Sequence, residues 1–120
     1  MIERPPQRKP QLLMRRDSLA DLPAYCVPAG CVIRVARLED EAGLAHLLTR
    51  AFDTDWDAAR VHRSLTGAPD VDTVYVIASS GTVAATASAR LDPRTFPGDG
   101  YLHWVGVLPE WRGKGLGGAI

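Results

Sequence analysis

The spacing of apolar residues changes along the chain, and each change marks an element. Cys31-Val32-Ile33-Arg34-Val35-Ala36 is short and β-branched, which predicts a first strand. Leu44, Leu47, Leu48, Ala51 and Phe52 then recur at helical spacing, so Glu39–Phe52 reads as an amphipathic helix. Glu39, Asp40 and Glu41 crowd its first turn, where the helix dipole favours negative charge. Thr54-Asp55-Trp56-Asp57 reads as the cap of a second helix to about Leu65, with the Thr54 hydroxyl and the acid three residues on satisfying free N–H groups. Gly67-Ala68-Pro69-Asp70 ends it. Thr73–Ala78 is a strand, Ser80-Gly81 a two-residue hairpin turn, and Thr82–Leu91 the returning strand. The alanines and serines of that strand leave room for a helix to lie close. Asp92–Gly100 is a loop, Tyr101–Val107 a fourth strand, and Leu108–Trp111 a corner. Arg112–Gly118 then leads into a third helix. The order is β1-α1-α2-β2-β3-β4 and the start of α3. That is an α+β plan with a mixed, mostly antiparallel sheet flanked by helices, because the strands arrive as hairpins and not as alternating βαβ units.

Composition narrows this plan. At 120 residues the chain is one domain at most. Hydrophobic residues make up 46% and charged residues 23%, the balance of a folded domain and not of a disordered chain. A formal net charge of zero argues against a dedicated nucleic-acid binder. The charge is uneven, however. Arg4, Arg8, Lys9, Arg15 and Arg16 stand against Glu3 alone in the first 16 residues, which makes the rest mildly acidic. Residues 1–30 read as a basic, proline-punctuated, solvated leader with a short helical turn around Asp17–Leu22, capped by Asp17 or Ser18. Residues 31–120 form the domain proper.

No stretch approaches the ~18 apolar residues of a membrane span, and no apolar segment backs the N-terminal charges as a secretory signal requires. Cys26 and Cys31 lack a second ligand pair, so no metal is expected, and both read as small apolar residues of a reducing cytoplasm. Of the three histidines, His46 and His62 fall on helices and read as surface or packing residues.

The chemistry concentrates in Tyr101–Gly118, where a strand runs into a glycine-rich turn that opens a helix. Such a turn offers several backbone N–H groups to an anion, and Arg112 and Lys114 add positive charge. Gly113, Gly115 and Gly118 formally spell G-x-G-x-x-G, but a dinucleotide fingerprint sits in a first βαβ unit with an acid about 20 residues on. Here the turn follows a fourth strand. A P-loop fails as well, because Gly115 follows Gly113-Lys114 where Ser or Thr is needed, and Gly106 is too far upstream.

The run V-x-V-L-P-E-W-R-G-K-G-L-G resembles motif A of the GNAT superfamily of N-acetyltransferases, whose signature is Gln/Arg-x-x-Gly-x-Gly/Ala after a strand and a Pro-containing corner. Arg112-Gly113-Lys114-Gly115-Leu116-Gly117 fits each place, and the order of elements from Cys31 onward agrees. The resemblance implies an acyl-CoA-dependent N-acyltransferase that moves acetyl from acetyl-CoA to a primary amine of a small molecule or protein. It also implies that Val105, Gly106 and Val107 pair with the pantetheine arm, and that Arg112, Gly113, Lys114, Gly115, Leu116, Gly117 and Gly118 wrap the pyrophosphate. Gly106 would suit the bulge that splays this strand from the next.

The chemistry needs an amine made neutral before it attacks, so a general base is useful. Backbone N–H groups of the fourth strand can serve the thioester oxygen. His103 is the candidate base, read on strict alternation as sharing a face with Val105 and Val107. By the resemblance, Tyr101 and His103 occupy the places of the histidine pair in serotonin N-acetyltransferases. Tyr101 also stands where histone-acetylating relatives carry glutamate, a departure that tells against the glutamate mechanism here. No Ser or Cys stands in a nucleophile motif, so transfer would be direct, within a ternary complex.

The family's next strand, helix, final hairpin and thiolate-protonating tyrosine would lie beyond Ile120, so residues 31–120 are expected to be the N-terminal part of such a domain. The alternatives are a catalytically inactive CoA-binding or interaction domain of the same fold and, less favoured, a dinucleotide-binding fragment. The expected acceptor is a small-molecule or peptide amine, with no nucleic acid and no membrane expected as partner. The leader carries five basic groups but little apolar periodicity. Deleting residues 1–16 is therefore expected to leave acetyl-CoA affinity unchanged. A melting temperature lowered by more than about 5 °C, roughly 1 kcal/mol for a domain of this size, would show that the leader packs, over the acceptor cleft or in a homodimer.

Overall fold

A computed structural model describes residues 14–120, and the leader's residues 1–13 lie outside the described residues. Four antiparallel strands form one sheet in the order β1-β2-β3-β4: β1 (Val32–Val35), β2 (Val71–Ser79), β3 (Thr82–Leu91) and β4 (Gly100–Val107). Ser80 and Gly81 join β2 to β3 at φ +47° and +81°, the pair of left-handed residues that a tight hairpin matching the sheet twist demands. Among the described residues β4 is an outer strand.

One face of the sheet carries α1 (Glu41–Phe52), entered through a 3-10 turn over Leu38–Asp40. Leu44, Leu47 and Leu48 are fully buried there with Val61, Leu65, Val74, Val76 and Val83. The small residues on this face of β3 permit a close approach: Thr86 and Ser88, paired with Val76 and Val74, are buried, and a Cβ on Gly43 of α1 would lie 2.9 Å from Val83 Cγ2. Asp53, at φ +52°, ends α1 in the left-handed conformation.

α2 is a single turn, Ala58–Val61, that widens into a π-helical turn over His62–Thr66. Asp57 caps it by accepting from Arg60 N at 2.7 Å. Thr54, the cap expected from the sequence, instead accepts from Trp56 Nε1 at 3.1 Å. Gly67 N donates to His62 O at 2.7 Å and closes the wide turn, and a Cβ on Gly67 would strike the His62 ring at 2.6 Å. His62 Nδ1 lies 3.0 Å from Glu41 Oε2, which ties this turn to α1.

The opposite face of the sheet is covered by α3 (Leu116–Ala119), with Leu116 packed on Ile77, Ala84 and Ala85. Val27 and Cys31 join that cluster, so the segment leading into β1 docks on the sheet. The expected helical turn at Asp17–Leu22 is replaced by a tight turn at Ala20-Asp21, with Asp21 at φ +57°. Ser18 Oγ accepts from Ala20 N at 3.0 Å, a local bond that competes with helix formation.

β1 is tied to the start of α1 by a partly buried ion pair. Arg34 Nη1 and Nη2 donate to the two oxygens of Asp40 at 2.6 and 2.9 Å, and Arg37 N donates to Asp40 Oδ2 at 2.7 Å. The Arg34 hydrogen bonds hold the Asp40 carboxyl below its ordinary 3.8, against the opposing effect of burial. Its stabilisation is therefore complete above pH 3.8 and is lost as pH falls through the lower folded value. Asp40→Ala leaves a guanidinium and an N–H without an acceptor, at a cost of about 1–3 kcal/mol. Denaturant unfolding should show that difference at pH 7 and a shrinking one at acid pH. A difference that is the same at both would contradict the pairing.

Candidate active site

β4 is where the structure departs most from simple alternation. Its register on β3 runs Ala85↔Val107, Thr86↔Gly106, then shifts to Ser88↔His103 and Arg90↔Tyr101. Three positions of β4 thus span two of β3, and the extra residue is taken up at Trp104, whose φ is +50°. A left-handed tryptophan costs on the order of 1–3 kcal/mol. Its ring offsets that cost through edge-to-face contacts with Phe52 at 5.1 Å and Trp56 at 5.0 Å, each worth about 0.5–1.5 kcal/mol beyond simple burial.

The bulge overturns two expectations. Gly106 does not form it. Gly106 is paired with Thr86, and its bareness serves α1 instead, since a Cβ would meet Leu47 and Phe52 at 3.2 Å. His103 also does not share a face with Val107. Ala85 and Ser88 are three residues apart on β3, so their partners Val107 and His103 lie on opposite faces. Tyr101, His103, Trp104 and Gly106 face α1, whereas Leu102, Val105 and Val107 face the side of α3.

A cavity of about 230 Å³ wraps this part of the strand, lined by Phe52, Tyr101, Leu102, His103, Trp104 and Val105. It draws on both faces of β4. Tyr101 stacks on Phe96 of the preceding loop at 5.2 Å and lies 5.7 Å from the His103 ring, which in turn meets Trp104 edge-on at 5.3 Å. Burial pushes the His103 imidazole below its ordinary 6.5; the Arg90 charge adds to this and Asp70 opposes it. His103 is therefore neutral at pH 7, with a lone pair to offer. Asp92, another acid near this end of β4, is held below its ordinary 3.8 by the Thr95 hydroxyl and is correspondingly weak as a base.

At the other end of β4, Pro109–Trp111 makes one 3-10 turn and the glycine loop follows. Gly113 and Gly115 stand at φ +78° and +82°, with nothing within 4 Å of a Cβ built on either. They are glycines because of backbone conformation, not crowding. Among the described residues no carbonyl accepts from the N–H of Gly113 or Gly115. Exposed N–H groups flanking left-handed residues form a concavity suited to an anion. Arg112 is exposed beside it, and Lys114 Nζ lies 4.8 Å over the Trp111 ring. Leu116 is the anchor of the segment, only 1% exposed, and Gly118 is exposed but borders Tyr25, whose ring a Cβ would strike at 2.6 Å. Arg112, Gly113, Lys114, Gly115, Gly117 and Gly118 are thus exposed, whereas Val105–Val107 belong to the outer strand leading to them.

Trp104 and Phe52, which form the inner wall of the cavity, are the residues that sequence reasoning missed. The one signal was the strand pattern itself, in which His103 and Trp104 are adjacent bulky rings with a bare Gly106 two places on.

A bulged outer strand running into a left-handed glycine turn and a helix, on a hairpin sheet backed by α1 and α2, defines an acyltransferase fold. Solved structures agree. The ribosomal-protein-S18-alanine N-acetyltransferase from Escherichia coli superposes with a TM-score of 0.58 at 19% identity, over 74% of this chain and 53% of that one. A GCN5-related N-acetyltransferase from Kribbella flavida gives 0.54 at 26% identity, over 81% of this chain and 35% of that one. A putative acetyltransferase from Pyrococcus horikoshii gives 0.58 at 15% identity, over 78% and 32%. The model of the acetyltransferase (GNAT) family matches residues 38–120, and the chain belongs to that family. It spans about half or less of the length of these structures. No curated protein matches it. Among the described residues no helix is long and apolar enough to cross a membrane, and no cluster of His, Cys, Asp and Glu could hold a metal.

Proposed function

We propose that the protein transfers acetyl from acetyl-CoA to the primary amine of a small molecule or peptide, by direct attack within a ternary complex. The observation that carries this is the glycine loop. Two residues at positive φ, with N–H groups that no carbonyl takes and Arg112 and Lys114 beside them, fit a pyrophosphate at the end of an outer strand. Residues 113–118 would hold that pyrophosphate, with the leucine side chain at 116 anchoring them from behind. Val105, Gly106 and Val107 would hold the pantetheine arm along the edge of β4. Acetyl-CoA, when bound, supplies an acyl group activated as a thioester.

His103 acts as the general base in this reading. It is half-buried, neutral at pH 7 and part of the cavity wall, so it can take a proton from an ammonium, directly or through one water. The aromatic walls, Phe52, Tyr101 and Trp104, exclude water from the amine once it is neutral. Tyr101 supports the imidazole by its ring contact at 5.7 Å.

The rival reading is a CoA-binding module that catalyses nothing. Calorimetric titration of the full-length protein with acetyl-CoA, followed by thiol release across a panel of amines, separates the two. Saturable binding with thiol release on at least one amine supports the transferase. Binding without turnover on any amine supports the module, and no binding removes both.

A further inference from the structure

A buried hydroxyl stands opposite His103. Ser88 is 1% exposed and pairs in register with His103. Among the described residues its Oγ is the buried side-chain polar atom without a hydrogen-bond partner. The other polar residues on the same face of β3 are satisfied. Thr86 Oγ1 donates to Tyr75 O at 2.8 Å, and Arg90 Nε donates to Asp70 Oδ2 at 2.7 Å. On β2 the residue paired with Ser88 is Val74, a hydrocarbon with nothing to offer. The imidazole on β4 is therefore the polar side chain directly across. Cβ atoms of such cross-strand pairs are about 4.5–5.5 Å apart, a span that ring rotation or one water closes.

We propose that Ser88 is a positioning residue that fixes the tautomer of His103. Its Oγ accepts a hydrogen bond from the imidazole N–H on the sheet side, directly or through one buried water. The lone pair of the other ring nitrogen is then aimed into the cavity. The importance of this contact to turnover rests on the reading of His103 as the base. A buried hydroxyl left idle is costly, and a neutral imidazole without a fixed N–H partner divides between two tautomers, only one of which presents a lone pair outward. The charged and titratable groups around the ring are Arg90 and Asp70, which pair with each other, and Tyr101 on its own strand. Trp104 offers one N–H donor and no acceptor. Tyr101 is thus the competing partner for the ring, and the test includes it.

The experiment is nitrogen-15 NMR of the His103 ring in the full-length protein at pH 8, for the wild type, Ser88→Ala, Ser88→Thr and Tyr101→Phe. In the wild type one tautomer should dominate, with a slowly exchanging ring N–H. In Ser88→Ala the tautomer ratio should move several-fold toward an even mixture and the imidazole should titrate at lower pH. Ser88→Thr, which keeps the hydroxyl, should restore the wild-type pattern, and Tyr101→Phe should leave it unchanged. Ring shifts and titration alike in wild type and Ser88→Ala would overturn the proposal, as would a mixed tautomer in the wild type, which needs no variant to see. If the ring responds to Ser88→Ala while thiol release with amine does not, Ser88 still fixes the tautomer and it is His103 as base that fails.

Discussion

Gly115→Glu should weaken acetyl-CoA binding by about 100-fold or more in a protein that still folds. Gly115 is exposed at φ +82° with open space around its Cα, so the side chain disturbs no packing. The loss arises at the ligand. A side chain at positive φ costs on the order of 1–2 kcal/mol or forces the turn to change shape. Each charge-assisted hydrogen bond lost to an anion is worth about 1.5–3 kcal/mol, and 1.4 kcal/mol is tenfold in affinity. The carboxylate adds repulsion against a pyrophosphate. Gly115→Ala, with the same backbone strain and no charge, should lose less. Calorimetry with circular dichroism as the folding control checks both, and an unchanged dissociation constant in a folded Gly115→Glu protein would remove the glycine loop from the site.

His103→Ala should reduce turnover about 10²–10⁴-fold while leaving acetyl-CoA affinity within a few-fold. The side chain faces α1, away from the face of Val107, and lines the cavity that wraps Trp104 and Val105. Binding along the strand edge should therefore be indifferent to it. The pH dependence carries the sign of its environment. Burial lowers the imidazole below 6.5, so the acid limb of kcat/KM should fall below the ordinary histidine value. The variant should lose that limb, and its deficit should shrink at high pH, where the amine is already neutral. A variant whose pH–rate profile parallels the wild type would show that His103 only packs. Tyr101 and Asp99 would then be next, ahead of Asp92, which hydrogen bonds from Thr95 make a weaker base.

Much of the fold is legible in the sequence. The Ser80-Gly81 turn and the alternation on either side place β2 and β3, and β3 runs over Thr82–Leu91 as read. Leu44, Leu47 and Leu48 mark the buried stripe of α1 because helical spacing and burial are the same signal. The glycine turn was legible because positive φ leaves a residue signature. The bulge was not. It sits on Trp104, a residue type that almost never signals a left-handed backbone, and it is held there by Phe52 and Trp56, distant in sequence. One unseen bulge was enough to turn His103 to the other face, since strand parity flips with a single residue. The docking of Val27 and Tyr25 was also hidden, because the prolines around them erase any periodicity. Ser88 read as one more small residue in a packed row. Only its register against His103 and Val74 shows that its hydroxyl has a single polar neighbour across the sheet.

In the proposed reaction an acyl group moves directly from coenzyme A to an amine on this fold. The most direct measurement is a single-turnover reaction of the full-length protein with acetyl-CoA labelled in the acetyl group and a mixed pool of primary amines, read by mass spectrometry. Label should leave coenzyme A and enter an amine in one kinetic step, with none on the protein at any time. Label that stays in a bound coenzyme A through many half-lives, or that first appears on the protein, would contradict it.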